Sequence, residues 1–499
     1  MRKTASGYRL IFGYLGLFIA FVGITTLLPI LTYIFYPSEV GDWYCFAIPG
    51  AGAIVLGSFM FGFLIAGRHK AQLGKHQDFI LLVLVWLSAI FVSAVPFLIK
   101  GNLDFTNAIF ETTSAYATIG LTVFDESDLA LHAFVIYRSL LCFLGGIGLV
   151  LVITSALSDR YGLKLYVAEG HNDKLMPNLA KSARLILSIY VGITVLGVIL
   201  YRIAGMPTWY DAIVHSISGV ATGGFSSRKE GIMAFSNLST FWAIQIISIF
   251  LMLSGATNFL LTFFLLSGRF RKFFKDCEVR LLGWLFLLFI PIFTLSSYFG
   301  GQNLSFGQAF LSGSFTFISA ITTTGFSNIS DLKLLGQGTI FLITIINVIG
   351  GGIGSTAGGV KQYRLAIALK SFHWSSKEAT ASSNTIFPHY IWRFGEQKEI
   401  DQKEISAAFS YILLYVLIMI TGGFLLTLFE GADYGYGTGL FEFSNAISST
   451  GLSFGIYKNR PVGVRWTLIA GMFAGRLEIF PIFYAFYRVL RDMVRKETY

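Results

Sequence analysis

Four segments of fourteen residues align along this chain without a gap, and all four place hydroxyl side chains on both sides of a glycine. Repeats 1 to 4 cover 109–122, 213–226, 314–327 and 440–453. Each closes on Ser/Thr–x–Gly–Leu/Phe–Ser/Thr, and the central glycines are Gly120, Gly224, Gly325 and Gly451. One copy could arise by chance, but four in register indicate an architecture of four similar units.

Hydroxyl and glycine residues at this spacing suit the binding of a cation that has lost its water. Oxygen atoms must replace the hydration shell, because a bare ion in an apolar medium is destabilised by on the order of tens of kcal/mol. Backbone carbonyls supply these oxygens when several extended strands point at one axis, and glycine permits the required dihedral angles. Hydroxyl oxygens are added two positions before each glycine, by Thr118, Thr222, Thr323 and Ser449.

The apolar residues before each glycine can form a half-helix that adds to the preference for cations. A helix C-terminus carries about half a negative charge, worth roughly 1 kcal/mol to a cation at about 8 Å and an effective dielectric constant near 20. Four converging ends would give about 4 kcal/mol. This contribution does not distinguish potassium from sodium. For a single copy, helix packing through small residues is the alternative.

The composition indicates a membrane protein. Of 499 residues, 54% are hydrophobic and 13% are charged, against about 25% charged residues in ordinary globular proteins. Ten apolar runs that can cross a bilayer as helices bracket the four repeats. These runs are 10–36, 43–67, 79–99, 139–158, 185–201, 231–268, 281–298, 334–360, 405–429 and 466–487.

The repeats are too short to span a bilayer, and Gly, Pro, Asn or Asp residues flank them. Their length fits a half-helix that dips into the membrane and returns as extended chain, which requires a water-filled cavity or protein around it. We therefore predict an all-α polytopic membrane protein with four pseudo-repeated units around a common axis, preceded by a two-helix hairpin. The predicted boundaries are 1–75 for the hairpin and 76–180, 181–277, 278–401 and 402–499 for units 1 to 4.

The basic residues predict the orientation. If the repeats face outside, 27 of the 37 Lys and Arg residues fall on the inner side, as the positive-inside rule requires. The N-terminus and the C-terminus are then cytoplasmic. The inner pieces are 1–9, 68–78, 158–184, 269–280, 361–404 and 488–499.

A glycine-rich run at 350–359 interrupts the second apolar helix of unit 3. It formally matches the dinucleotide fingerprint G-x-G-x-x-A, but an apolar helix leads into it where that fingerprint needs a strand. Six glycines in ten residues disfavour a helix, so we expect a break beneath the repeats. A close helix crossing through small residues is the alternative. Asn347 or Lys361 could anchor the break.

Three charged residues lie within apolar segments. Arg476 needs water or a partner at that depth, and a salt bridge to Glu478 of a neighbouring unit or to a lipid phosphate is one alternative. Glu111 and Glu442 hold equivalent positions in repeats 1 and 4, where hydrogen bonding to the returning backbone is favoured over ion binding. The cysteines at 45, 142 and 277 are expected at different depths without a disulfide, and the scattered histidines predict no metal site.

The four repeats, the run at 350–361 and the sequence Gly-Arg-Leu-Glu at 475–478 resemble the Trk/Ktr/HKT superfamily of potassium transporters, specifically its TrkH-like bacterial branch. The resemblance covers nearly the whole chain. It implies helix–pore loop–helix units around one central pore, two subunits in a homodimer with separate pores, and an N-terminal hairpin typical of TrkH proteins. In relatives that prefer sodium, serine replaces the first of the repeated glycines, so Gly120 implies potassium.

The resemblance also assigns residues. The implied selectivity-filter residues, which would bind potassium, are Thr118, Ile119, Gly120, Thr222, Gly223, Gly224, Thr323, Thr324, Gly325, Ser449, Thr450 and Gly451. The implied gating residues, within an intramembrane loop at 350–361 and near it, are Gly350, Gly351, Gly352, Gly354, Gly358, Gly359, Lys361 and Arg476. Repeats 1 and 2 carry fewer hydroxyls than is usual in this family, which leaves the relative selectivity open.

These features predict potassium uptake across the bacterial cytoplasmic (inner) membrane. The resemblance implies control by a cytoplasmic nucleotide-binding ring of the RCK type, similar to TrkA. Membrane lipids are expected partners, nucleic acid is not, and no cofactor is expected beside the transported potassium. An ion-coupled secondary transporter is the alternative, although such proteins usually show two repeats. No nucleophile–base pair or metal cluster indicates an enzyme.

Overall fold

A computed structural model describes residues 7–65, 77–149, 151–152, 179–299, 304–329, 331–332, 335–381, 387–430, 435–455, 457–458 and 460–495. In these residues, helices are accompanied by one two-stranded β-hairpin. The predicted boundary at 75/76 and most of the predicted inner pieces 68–78 and 158–184 lie outside the described residues. The same holds for the terminal segments 1–6 and 496–499.

The N-terminal hairpin is a closely packed antiparallel helix pair. Its elements are α1 (Tyr8–Leu27), two 3-10 turns (Leu28–Ile34 and Pro37–Asp42) and α2 (Tyr44–Ile65). A Cβ added at Gly16 would lie 2.6 Å from the carbonyl oxygen of Gly57, and one at Gly23 would lie 2.7 Å from that of Gly50. Glycines on both helices therefore let the two backbones touch, as is common in membrane helix pairs.

Each of the four units contains a long first helix, a short helix that ends inside a repeat, and an interrupted second helix. The first helices are α3 (Gln77–Lys100), α7 (Leu179–Ile203), α12 (Cys277–Phe299) and α16 (Gln402–Glu430). The short helices are α4 (Phe105–Tyr116), α8 (Trp209–Val220), α13 (Phe306–Ile321) and α17 (Tyr436–Ser448).

The second helix is described as one piece in unit 1 and as two pieces in units 2 to 4. The pieces are α6 (His132–Ile147), α9 (Phe241–Ala256) with α10 (Phe259–Leu266), α14 (Gln337–Ile349) with α15 (Gln362–Thr380), and α18 (Val462–Arg476) with α19 (Ile479–Arg495). Short connecting elements are α5 (Glu126–Leu129), a 3-10 turn (Gly231–Phe235) and α11 (Phe270–Lys275).

The second helix is interrupted in all four units, whereas the sequence predicted an interruption only in unit 3. α6 ends at Gly148 with a φ of 94°, and α14 ends at Gly350 with a φ of 71°. α9 and α10 meet at 115°, and α18 and α19 meet at 98°. Outside unit 3 these breaks take few residues within apolar runs, so the hydropathy pattern did not reveal them.

The ten predicted spans are therefore not ten continuous helices. Six helices in the described residues are long and apolar enough to cross a membrane, and the two bent pairs add two more spans. The remaining two predicted runs correspond to α6 and α14, which are 16 and 13 residues long. The predicted class, a polytopic helical membrane protein, is confirmed.

One β-hairpin modifies the all-α prediction. Strands β1 (Tyr390–Arg393) and β2 (Glu396–Glu399) pair antiparallel through a two-residue turn at Phe394 and Gly395, both with positive φ. Such turns match the twist of the paired strands. Ile391 on β1 is fully buried in a small apolar cluster with residues of α12, α15 and α16. The hairpin is therefore packed onto the helices of units 3 and 4.

Candidate functional site

Side chains fix where the short helices begin. The carboxylate of Asp104 accepts a hydrogen bond from the backbone N–H of Asn107 (2.7 Å), and the hydroxyl of Thr208 accepts from that of Asp211 (3.0 Å). Ser305 caps α13 in the same way. These caps satisfy backbone donors that a helix start leaves free. The local sequence therefore sets where the short helices of units 1 to 3 begin.

The four short helices end alike, in a conformation that is unusual for their residues. The predicted filter residues two positions before the glycines all have positive φ: Thr118 at 52°, Thr222 at 51°, Thr323 at 53° and Ser449 at 61°. Glycine normally occupies this left-handed position after a helix, and another residue there costs on the order of 1–3 kcal/mol. Retaining a hydroxyl at four strained positions therefore indicates a use for its oxygen.

The four repeated glycines form a closed ring, called the glycine ring below. A Cβ added to any of them would overlap a carbonyl oxygen of the next repeat. The pairs are Gly120 with Gly223, Gly224 with Thr324, Gly325 with Thr450, and Gly451 with Ile119. The contacts run from repeat 1 to 2, 3, 4 and back to 1, which brings the twelve predicted filter residues around one axis.

Acidic side chains behind the ring hold the returning chain. Glu111 accepts hydrogen bonds from the hydroxyl of Thr122 (2.8 Å) and the backbone N–H of Val123 (2.9 Å). Glu442 binds Ser453 and the backbone N–H of Phe454 in the same way (2.7 and 2.6 Å). The prediction that both glutamates hydrogen-bond the returning backbone is confirmed.

The other two repeats replace this carboxylate. His215 stands at the equivalent place in repeat 2, and its Nε2 lies 2.9 Å from the hydroxyl of Ser226. Thr316 stands there in repeat 3 and bonds its own helix at Ser312. At this position, repeats 1 and 4 therefore carry a carboxylate, repeat 2 carries an imidazole, and repeat 3 carries a hydroxyl.

Arg138 is a residue of this site that the sequence analysis missed. Its side chain is 1% exposed, and it ion-pairs with Glu111 at 3.0 Å. It also contacts Thr122 (3.0 Å) and donates to the backbone oxygen of Ser226 (2.7 Å). Its position before an apolar run, outside the predicted inner pieces, predicts an outer location. A lone arginine beside such a run, with a glutamate in the adjacent repeat, was the available signal.

The glycine-rich loop, residues 350–361, lies against the end of the ring formed by the residues with positive φ, called its inner end below. The backbone N–H of Gly358 donates to the hydroxyl of Thr323 (2.8 Å). The Thr222 hydroxyl donates to that of Thr356 (3.0 Å), whose own hydrogen is shared between the carbonyl oxygens of Val220 and Gly255 (both 3.0 Å). The predicted break in unit 3 thus lies beneath the ring.

Both candidate anchors of the loop make contacts. The side-chain amide of Asn347 donates to that of Asn445 on α17 (2.9 Å), so it ties the end of α14 to repeat 4. Lys361 is buried and donates to the carbonyl oxygen of Ala357 (2.6 Å), within the loop itself. Asn347 is therefore the anchor to a neighbouring element, and Lys361 closes the loop internally.

The loop is also fastened to the break in unit 2. The backbone N–H of Gly352 donates to Ala256 (2.9 Å), and that of Thr356 donates to Gly255 (3.1 Å). The backbone N–H of Ile353 donates to the carboxylate of Glu278 at the start of α12 (2.9 Å). The loop is therefore bonded to the break of unit 2 and to the first helix of its own unit.

Arg476 reaches across the space below the ring. Its guanidinium donates to the carbonyl oxygens of Thr356 (3.2 Å) and Gly146 (3.1 Å), and of Gly145. Glu478 forms an ion pair with Arg364 on α15. The two charges therefore contact different partners.

A cavity of about 40 Å³ remains between the ring and the loop, which is room for about three water molecules. Ser449, Gly358, Lys361 and Arg476 are among the residues that line it. The carboxylate of Glu478 also lines it, so the cavity carries charges of both signs.

The chain is similar to known proteins over nearly its full length. The family model described as TrkH, cation transport protein, matches residues 52–494. An uncharacterized cation transporter of Methanocaldococcus jannaschii is 29% identical, over 97% of this chain and 96% of that protein. The Trk system potassium uptake protein TrkG of Escherichia coli K12 is 30% identical, over 83% of this chain and 85% of that protein.

A solved structure is similar as well. It is the crystal structure of the potassium transporter TrkH from Vibrio parahaemolyticus, with 26% sequence identity and a TM-score of 0.82. The match covers 95% of this chain and 98% of that chain.

Proposed function

The chain belongs to the TrkH family of cation transport proteins, and from this membership we propose that it carries out potassium uptake through the glycine ring. The names of its relatives support the choice of ion. The observation that carries the proposal is the closed ring, in which each repeated glycine faces a carbonyl oxygen of the next repeat. Several carbonyls around one axis can replace the water of a cation.

The proposed ligands are the backbone and hydroxyl oxygens of the ring. The left-handed conformation of Thr118, Thr222, Thr323 and Ser449 supports a role for their hydroxyls at its inner end. The short helices point their C-terminal ends toward the same axis, which adds a favourable field for a cation. The proposed filter residues remain the twelve predicted from the sequence.

We infer that the glycine-rich loop is the gate. Its contacts with Thr222 and Thr323 support this role, since they place the loop directly at the inner end of the ring. The proposed gating residues are the six loop glycines (350, 351, 352, 354, 358 and 359) with Lys361 and Arg476. Arg476 would act as an electrostatic barrier, because its charge lines the cavity on the ion path.

Regulation by a cytoplasmic nucleotide-binding ring similar to TrkA is part of the proposal. A chain of contacts provides a route for it: Arg393 of the β-hairpin lies 3.8 Å from a Glu278 oxygen, and that oxygen accepts from the backbone of Ile353 in the loop. Assembly as a homodimer and insertion in the bacterial cytoplasmic membrane with both termini inside are proposed on family membership and the charge distribution.

Ion flux into liposomes tests the proposal. The purified protein is reconstituted, and uptake of potassium, rubidium, sodium and lithium is measured without a regulator. We expect potassium and rubidium to pass best. Gly451→Ala should abolish this preference, because the new Cβ would overlap the Ile119 carbonyl. Gly437→Ala, on the short helix that precedes Gly451, is the control, since no atom lies within 4 Å of its added Cβ. Equal sodium and potassium flux in the unmodified protein would overturn the assignment.

A further inference from the structure

Arg138 lies outside the four repeats, yet it is in contact with two of them. It stands on α6, the second helix of unit 1, and its side chain is as buried as the apolar core around it. A charge in a membrane interior is retained where it has a defined partner or role. The contacts of its guanidinium therefore indicate its role.

The guanidinium bridges the outer ends of repeats 1 and 2. One terminal nitrogen contacts both Glu111 Oε1 and Thr122 Oγ1 at 3.0 Å, and the other donates to the Ser226 backbone oxygen at 2.7 Å. Thr122 and Ser226 each follow a ring glycine by two residues. One planar group thus ties the chain leaving Gly120 to the chain leaving Gly224.

Two aromatic rings fix the plane of this group. The guanidinium carbon lies 4.7 Å from the ring centre of Phe124 and 4.5 Å from that of Phe225. Both phenylalanines belong to the segments that follow ring glycines. The arginine is therefore oriented by the same two segments that it joins.

Directly inside the bridge, repeats 1 and 2 are in close contact. A Cβ at Gly120 would lie 2.5 Å from the carbonyl oxygen of Gly223. A change in the separation of the two segments at their outer ends would move this carbonyl relative to the axis. Discrimination among cations depends on the position and field of such carbonyls.

We propose that Arg138 is a positioning residue for ion selectivity: it sets the separation of repeats 1 and 2 through Glu111, Thr122 and the Ser226 carbonyl. This inference rests on the proposed potassium function. The proposed role requires the planar guanidinium with its two terminal nitrogens and not only a positive charge. Lysine carries the same charge but lacks this geometry.

Arg138→Lys is the main test. It keeps the positive charge beside Glu111 and removes the simultaneous contacts with repeats 1 and 2. We expect the ratio of potassium to sodium flux to fall by about tenfold, because small displacements of binding groups have large effects. The maximal potassium flux should change less than the ratio. A purely structural role would instead lower the flux of all ions together.

Two further variants separate charge from geometry. Arg138→Gln alone leaves the Glu111 carboxylate buried without its cation, which is strongly destabilising. The double variant Arg138→Gln with Glu111→Gln removes both charges and still lacks the bridge, so we expect it to fold better than the single variant and to remain unselective. Glu111→Gln alone weakens the bridge at one acceptor. It replaces Arg138→Lys as the test variant if Arg138→Lys does not fold.

Arg465→Lys is the matched control. Arg465 also lies on a second helix, in unit 4, and donates to the Asn107 side chain near the start of α4 instead of to a segment beyond the ring. It should leave the flux ratio unchanged. An unmodified protein that selects potassium, together with selective Arg138→Lys and Glu111→Gln variants, would overturn this inference alone. An unselective unmodified protein would overturn the proposed function and this inference together.

Discussion

The backbone N–H of Gly358 donates a hydrogen bond to the hydroxyl of Thr323 over 2.8 Å. The hydroxyl of Thr222 bonds that of Thr356. The glycine-rich loop thus forms hydrogen bonds with two of the four residues that have positive φ at the inner end of the ring. Among the described residues, the hydroxyls of Thr118 and Ser449 have no hydrogen-bond partner. The loop therefore binds the hydroxyls of repeats 2 and 3. It also packs on repeat 4, since a Cβ added at Gly358 would overlap the carbonyl oxygen of Ser448, and the small cavity is lined by Ser449.

Thr356→Val should raise potassium flux in the absence of a regulator. Valine keeps the shape but loses the hydroxyl contacts with Thr222, Val220 and Gly255. At about 1 kcal/mol for a net hydrogen bond, the closed position should be disfavoured by about fivefold or more. Liposome flux measures this, with Thr421→Val as the control, because Thr421 is exposed and bonds only its own helix at Leu417. An unchanged flux would show that these contacts do not hold the gate closed.

Removing three residues from 350–359 should also raise the unregulated flux. A shorter segment cannot reach Thr323 while both its ends stay attached to α14 and α15. The measurement is potassium uptake at equal protein density in the vesicles. If uptake stays at the unmodified level, the loop is not the obstruction.

Arg476→Gln should increase potassium flux, and Arg476→Lys should leave it near the original level. A unit charge at about 8 Å from the ion opposes its passage by roughly 2 kcal/mol at an effective dielectric constant near 20. Glutamine removes this charge, whereas lysine retains it. Equal fluxes in the two variants would indicate that Arg476 acts through its hydrogen bonds to Thr356 and Gly146 and not through its charge.

Gly120→Ser should raise sodium passage relative to potassium. The serine Cβ would lie 2.5 Å from the Gly223 carbonyl oxygen, and the backbone has a φ of 89°, so the carbonyl must move. The flux ratio of the two ions measures the effect. Gly62→Ser on α2 is the control, since the space around its added Cβ is open. A variant that keeps the original ratio would contradict the role of this glycine in discrimination.

The sequence predicted the features that are local and repeated. The four repeats could be found because a hydroxyl, a glycine and a second hydroxyl recur at fixed spacing, and the apolar runs revealed most helices through length alone. The break at 350–361 was predictable because six glycines disfavour a helix. The breaks at Gly148, at Asn258 and at Glu478 were not, because one or two residues barely change the hydropathy of a run.

The β-hairpin was missed for a related reason. Its two strands have four residues each, and the turn at Phe394 and Gly395 is a short signal within a basic inner segment. Arg138 was missed because its partners lie 27, 16 and 88 residues away along the chain. The sequence around Arg138 offers the nearby glutamate as a signal but does not show that these three residues meet.

The sequence by itself determined which residues carry the repeated chemistry and that they belong to a membrane protein, because composition and short-range pattern express both. Only the tertiary structure decided how the repeats meet. The contact of Gly451 with Ile119 closes the ring between residues more than 300 positions apart, and Gly358 reaches Thr323 from a different segment. Such contacts follow from how the helices pack around one another, and helix packing is a property of the whole chain.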